Sequence, residues 1–259
     1  SRGLMNGASA TGALMISLGL ISTAYLVVVS ELKKFNFFYL SISFLLILTA
    51  IFFIGRTGFL IVPFVGLYLL VLFIYKKEFR NNIKIFTTYL FGYLIIGLIF
   101  LLILSYLNLF SIDLTKFNTV LNWVTNEINF KNGSVEVKTL TILSSHWFIP
   151  DDIKTLLFGN PSSFDEERIS SDIGFIRILY GFGLIGSIIF YGFFIYIFLK
   201  MIKKLNKIEE KLIIIILAIL FIITEIKEPF LFKVSINSFI LLLFLFINLN
   251  PLYNKKEKA

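Results

Sequence analysis

The chain has no cysteine. It therefore forms no disulfide, offers no thiolate to a metal and has no thiol nucleophile. Histidine occurs once, at position 146, which leaves no histidine cluster for a metal site. There is no Walker-type glycine loop and no acidic metal motif, so the sequence calls for no metal, nucleotide or other cofactor. No internal repeat is visible, and charged residues make up only 15% of the chain. Against these shortages stands one surplus. Hydrophobic residues account for 58% of the sequence and the mean hydropathy is +0.90, well above the roughly 45–50% apolar content of soluble domains.

The apolar residues do not alternate but come in runs of about 20, the length that crosses ~30 Å of hydrocarbon at ~1.5 Å per residue. Helices are expected, not a barrel. The runs are Thr11–Ser30, Asn36–Ile54, Phe59–Tyr75, Ile83–Leu107, Ile173–Leu199, Leu212–Thr224 and Val234–Leu249. The third holds Pro63 near its start, where a missing N–H matters least. The expected fold is all-α: a polytopic membrane bundle of about seven transmembrane helices, forming one helical domain over 1–259. The chain opens at Ser1 in a polar motif with no signal-peptide pattern, and it is read as the C-terminal part of a longer protein.

The net charge of +8 does not point to nucleic acid, because most lysines sit in short connections between runs. Lysine clusters follow the first, third, fifth and seventh runs, which puts those connections on the cytoplasmic side. By the same parity Arg2, the Gly55–Gly58 turn, the interval 108–172 and the Glu225–Lys233 turn lie on the outer face. Four of the five arginines, Arg2, Arg56, Arg168 and Arg177, then lie outside, against the usual bias.

The interval 108–172 is the only long polar stretch. Loops beyond ~12–15 residues are usually functional or disordered, and this one carries His146, Trp123, Trp147 and the cluster Asp165-Glu166-Glu167-Arg168. Val120–Ile128 and Ile153–Phe158 have helix-like apolar spacing. Trp147-Phe148-Ile149 suits an aromatic anchor at the interface, and Asn132-Gly133 and Asn160-Pro161 supply turns. The expectation is a large outer loop of short helices folded over the mouth of the bundle.

Arginine binds phosphate oxygens through a planar fork that stays charged. Several arginines converging at the outer boundary make a site for a lipid-borne phosphate or diphosphate. Arg177, five residues after Asp172 and inside an apolar run, is a functional candidate because an ionisable group there is costly; the plainer reading is that it snorkels or pairs with Asp172. Arg56 is either a ligand or a turn cap, and Arg168 either a ligand or half of a surface pair with its acidic neighbours. Glu225, Lys227 and Glu228 interrupt an apolar run just before Pro229. They form an ordinary turn, or else Lys227 adds positive charge to the site while Glu225 or Glu228 holds an arginine in place. His146 is a candidate general base or an interfacial residue, with Asp151, Asp152, Asp165, Glu166 and Asp172 as rivals.

These motifs resemble a known family, the bacterial O-antigen and capsule polymerases and the related O-antigen ligases. Ser1-Arg2-Gly3-Leu4 running to Gly12 is similar to the family's outer arginine-glycine stretch, although the Arg2 to Gly12 spacing departs from that of some members. Ile54-Gly55-Arg56-Thr57-Gly58-Phe59-Leu60 resembles its second arginine turn. The best match is Ser171-Asp172-Ile173-Gly174-Phe175-Ile176-Arg177 running to Gly186, after a loop ending Leu157-Phe158-Gly159-Asn160. Glu225-Ile226-Lys227-Glu228-Pro229-Phe230 resembles the charged break before the last spans.

The resemblance implies an undecaprenyl-diphosphate-linked oligosaccharide donor, with Arg2 and Arg56 holding the diphosphate. It places Arg177 and its partner Asp172 in the same site, at the outer face of the cytoplasmic (inner) membrane. The expected activity is polymerisation of lipid-linked repeat units by attack of an acceptor sugar hydroxyl. The candidate residues are His146, Asp172 and Glu166 for catalysis and Arg2, Arg56, Arg168, Arg177, Lys227 and Glu225 for binding. The lipid bilayer, a chain-length regulator and a flippase are the further expected partners. A ligase of the same fold and a transporter or flippase are the alternatives; a transporter should place charges near the bilayer midplane on broken helices, often in repeated halves.

Overall fold

The computed structural model describes residues 9–29, 34–54, 58, 60–106, 128–131, 134–137, 147–160, 173–226 and 228–250. Its elements are α1 (Ser9–Val29), α2 (Lys34–Ile54), α3 (Ile61–Tyr75), a 3-10 turn (Lys77–Phe79), α4 (Arg80–Tyr106), β1 (Ile128–Lys131), β2 (Ser134–Val137), α5 (Ile153–Phe158), α6 (Gly174–Lys204), α7 (Ile208–Glu225), a second 3-10 turn (Phe230–Phe232) and α8 (Val234–Leu249). Each of the seven apolar runs forms a helix. Among the described residues three stretches are long and apolar enough to cross a membrane: Thr11–Val29, Lys77–Ile99 and Gly174–Lys204. The apolar helices Asn36–Ile51, Ile61–Tyr75 and Val234–Leu249 are shorter, and α7 begins with Glu209 and Glu210 in its first turn.

The chain divides into two compact units. The first takes the described residues within Ser1–Ile95, Tyr191–Thr224 and Phe230–Ala259; the second takes those within Ile96–Phe190 and Glu225–Pro229.

In the first unit α1 is the central helix and packs against α2, α3 and α8. Leu14, Leu18, Ile21, Ala24 and Val28 recur at helical spacing along it and are buried. Lipid tails are as apolar as leucine, so helices in a bilayer associate through close packing of small residues and shared polar contacts. Both devices are present. A side chain at Gly58 would meet Ala13 O and Ile51 Cγ2 at 2.7 Å, so the chain passes hard against α1 there. Between helices, Tyr25 Oη of α1 donates to Glu210 Oε1 of α7 at 3.2 Å; within α1 the buried hydroxyls of Ser17 and Thr23 donate to Leu14 O and Leu20 O at 2.6 and 2.9 Å, which leaves neither unmade in an apolar setting.

Pro63 falls in the first turn of α3, where helical N–H groups have no intrahelical partner in any case. The other end of α3 is capped by a cation: Arg80 Nε and Nη2 donate to the carbonyls of Phe73 and Ile74 at 2.8 and 3.0 Å. Apolar side chains also cover the outside. Phe91, Leu94, Ile95 and Ile96 on α4 and Ile188, Ile189, Ile195 and Tyr196 on α6 are all more than half exposed, a distribution that suits hydrocarbon and not water.

Two features of the second unit depart from the expected all-α loop. β1 and β2 pair antiparallel with Ile128 opposite Val137 and Lys131 opposite Ser134, so Ile128 begins a strand and does not close a helix. The cause is local: Ser134-Val135-Glu136-Val137 alternates polar and β-branched residues, a period of two. The second departure is inside α6, where Gly183 has φ 69° and ψ −179° and divides the helix. By contrast Ile153–Phe158 is helical as the spacing predicts, with Asp152 as its N-cap.

Candidate functional site

Of the residues proposed from sequence, Arg177, Glu225, Glu228, Asp151 and Asp152 lie among the described residues. Arg2, Arg56, His146, Asp165, Glu166, Arg168, Asp172 and Lys227 lie outside them. Arg177 stands one turn into α6, half-buried, and its N–H donates to Ile173 O at 3.0 Å. Ile173, Ile176 and Ile178 around it are buried, so the arginine rises from an apolar base.

Glu225 is the last residue of α7 and is fully buried. Its place is set by the start of α6: a side chain at Gly174 would meet Glu225 Oε2 at 2.6 Å and the carbonyl oxygens of Glu225 and Glu228 at 2.7 Å. Glycine is required there by the closeness of the two segments, not by its torsion angles. The first turn of a helix carries partial positive charge, which favours a carboxylate in that position. The charged break after α7 and the start of the helix that carries Arg177 are thus folded together, although the two are about 50 residues apart in sequence. With Arg177 three residues beyond Gly174, a permanent cation and a buried carboxylate share one end of α6.

The segment 147–160 is seated on the same helix. Phe148 meets Tyr180 edge to face at 5.5 Å between ring centroids, and Asp151 lies within electrostatic reach of the Tyr180 phenol. Tyr180 follows Arg177 by one turn. The break at Gly183 removes the amide that would normally bond Tyr180 O, and Asn160 N–H takes that carbonyl at 2.7 Å. Gly159, at φ 74°, and Gly183 oppose each other so closely that a Cβ on either would overlap backbone of the other segment. Both torsion pairs fall where only glycine is comfortable. Asp152 anchors the near end of this arm: its carboxylate accepts from Thr155 N–H and Thr155 Oγ1, each at 2.9 Å. Those bonds, the backbone one first, hold its pKa below the ordinary 3.8.

No known family profile, curated protein or solved structure matches this chain. The site is therefore read from its own residues. Tyr180, Gly159 and Gly183 belong to it and were not singled out as functional by sequence. Gly181-Phe182-Gly183 inside an apolar run carried the signal, since an interior glycine in a helical pattern marks close approach or a break. Arg177 places a half-buried cation one turn into α6, on the helix that the 147–160 arm packs against through Phe148 and Tyr180. Among the described residues no group of three or more acidic or histidine side chains lies close enough to hold a metal.

Proposed function

We propose that this chain is a membrane glycosyltransferase that polymerises lipid-linked oligosaccharide repeat units. In this reading the seven apolar helices span the cytoplasmic membrane, and 108–172 and the Glu225 turn face outward. The observation that carries it is the buried Glu225 carboxylate packed against the first turn of α6, one turn from Arg177. This makes a charged site at one end of an otherwise apolar helix. Arg177, with Arg168 and Lys227, holds the diphosphate of the donor, and Glu225 orients the cations. The acceptor sugar hydroxyl attacks the anomeric carbon, the anomeric C–O bond to the diphosphate breaks, and the arginines stabilise the charge that grows on the leaving group. The hydroxyl proton passes to a base drawn from His146, Asp172 and Glu166. The exposed apolar residues Trp147, Ile149, Ile153 and Phe158 suit an arm lying at the membrane surface.

A second reading, a transporter of a lipid-linked substrate, is favoured by one observation: α6 is broken at Gly183, as transporter helices are at their binding sites. Here, however, the freed Tyr180 carbonyl is already bonded to Asn160. The two readings separate in cells whose gene carries Arg177→Ala, with protein abundance checked by blot. The polymerase reading expects the ladder of repeat units to vanish while single units remain on the surface. Loss of all surface units favours the transporter or a ligase, and an unchanged ladder removes Arg177 from the site.

A further inference from the structure

In the first unit five lysines, Lys200, Lys203, Lys204, Lys207 and Lys211, fall between positions 200 and 211, where α6 ends and α7 begins. The two acids of that stretch, Glu209 and Glu210, are buried, while Lys200, Lys203 and Lys207 are exposed. Its outward face is therefore positive. Lys203 and Lys204 suit the last turn of α6, whose end carries partial negative charge. Lys207 and Lys211 do not suit their places: Lys207 O accepts from Lys211 N–H at 3.1 Å, so both flank the first turn of α7, where the helix is partially positive and disfavours cations. No ion pair joins Lys203, Lys204, Lys207 or Lys211 to a carboxylate among the described residues. The same stretch closes one end of an apolar cavity. Leu205 and Glu210, the neighbours of Lys204 and Lys211, line a space of about 430 Å³, in the size range of small-molecule sites, and its other walls include Leu18 of α1, Leu217 of α7 and Leu243 of α8. Leu26 and Phe246 in its lining are 46% and 63% exposed, so it opens on the outer surface of the unit. Glu210 serves here as wall: it is buried and takes the Tyr25 hydroxyl.

We propose that this place binds an anionic glycerophospholipid, with an acyl chain in the cavity and the phosphodiester head outside it, at Lys204, Lys207 and Lys211. Charge complementarity selects the head: lysines clustered just beyond a membrane helix attract anionic lipid, and basic pockets between such helices hold phosphate-bearing heads. An anion there also offsets the two cations held against the first turn of α7. The apolar walls select a hydrocarbon chain, since a polar group inside them would lose its water without a partner. A soluble phosphate ester would use the lysines and leave the adjoining cavity unfilled. The site requires the apolar helices to lie in a bilayer, and it shares no residue with the proposed transferase site.

The test is photolabelling of the full chain in phosphatidylcholine nanodiscs doped with phosphatidylglycerol that carries a diazirine on one acyl chain, mapped by mass spectrometry. Phosphatidylcholine with the same chain is the comparison probe. Both probes should label the exposed Phe91 and Leu94 of α4, whereas the peptides bearing Leu217 and Leu243 should be labelled strongly by phosphatidylglycerol alone. Unlabelled phosphatidylglycerol should compete, and glycerol 3-phosphate in the buffer should not. Lys207→Gln with Lys211→Gln should lower the preference for phosphatidylglycerol about ten- to thirtyfold, the scale of two charges lost near a membrane surface. Lys77→Gln with Lys84→Gln removes as much charge from another connection and should leave the preference unchanged. Leu243→Trp, which fills the cavity, should abolish labelling at Leu217. Equal labelling of the cavity peptides by both probes, an unchanged preference in the Lys207 and Lys211 variant, an equal loss in the Lys77 and Lys84 variant, or suppression by glycerol 3-phosphate would overturn the proposal. Label on α4 with none on the cavity peptides overturns it alone, and absence of label from both removes the bilayer placement as well.

Discussion

Replacing Gly183 by alanine should release the 147–160 arm from α6. Gly183 sits at φ 69° and ψ −179°, a region that costs a residue with a Cβ about 1–3 kcal/mol. The new methyl would also overlap Leu157 O and Gly159 N, so the arm must shift. Shifting it breaks the 2.7 Å bond from Asn160 N–H to Tyr180 O, and a stranded carbonyl costs about 1–3 kcal/mol. Together the change comes to about 2–6 kcal/mol of local stability, which raises the open population roughly 30-fold or more. Hydrogen exchange of the full chain in nanodiscs reads this directly, because Leu156, Gly159 and Asn160 amides are bonded to Asp152 O, Thr155 O and Tyr180 O. Exchange at Gly159 and Asn160 should accelerate while Leu184–Lys204 is unaffected. Gly159→Ala should have a similar effect, and the double variant should add little, since both changes disrupt one contact. Gly92→Ala is the control: nothing lies within 4 Å of that position, so the arm should not respond. If Gly183→Ala left Asn160 protected, the reasoning about the paired glycines would be wrong.

Other outcomes follow from the same geometry. If the chain is the polymerase proposed above, Glu225→Gln should reduce polymer about tenfold or more, as loss of a charged interaction does, with normal protein abundance on a blot; an unchanged ladder would make Glu225 purely architectural. Gly58→Ala should destabilise the first unit by about 1–3 kcal/mol through overpacking, read as a lower melting temperature, because its methyl would meet Ala13 O and Ile51. Asp152 has a depressed pKa, so its capping of α5 is fully present above the ordinary carboxylate value and is lost as pH falls through the folded value. Protection of Leu156 should therefore fall at acid pH in the parent chain, and a flat profile would remove Asp152 as the cap.

Much of the helical framework was legible because long apolar runs leave few alternatives. The last run coincides with α8, and the fifth begins within one residue of α6. The ends that moved did so for tertiary reasons. α6 continues to Lys204, past Leu199, with Lys200 reaching over the rings of Tyr196 and Phe244 at 5.8 and 5.5 Å, so charge at the end of a run does not stop the helix. α7 starts four residues before Leu212, at Ile208, because Glu209 and Glu210 are accommodated in buried positions. The hairpin is legible in the alternation of 134–137, and the helix-like spacing of Val120–Ile128 beside it masks that signal. In the candidate site, the charges at Arg177 and Glu225 stood out in an apolar background. That Glu225 folds against Gly174 did not, because the two are about 50 residues apart in sequence and only the fold brings them together. The break at Gly183 was hidden for the same reason: Gly181, Gly183 and Gly186 look alike in sequence, and the position of Gly159 selects one.

The division of α6 also bears on how the chain enters a membrane. An unbroken helix of 31 residues would be about 46 Å long, far beyond ~30 Å of hydrocarbon. Leu184–Lys204 by itself matches that thickness, so the chain has a complete span without Gly174–Phe182. Residues 147–160 are synthesised earlier. They are on hand when the span inserts, and the short leading helix can settle on them through the Asn160 to Tyr180 bond.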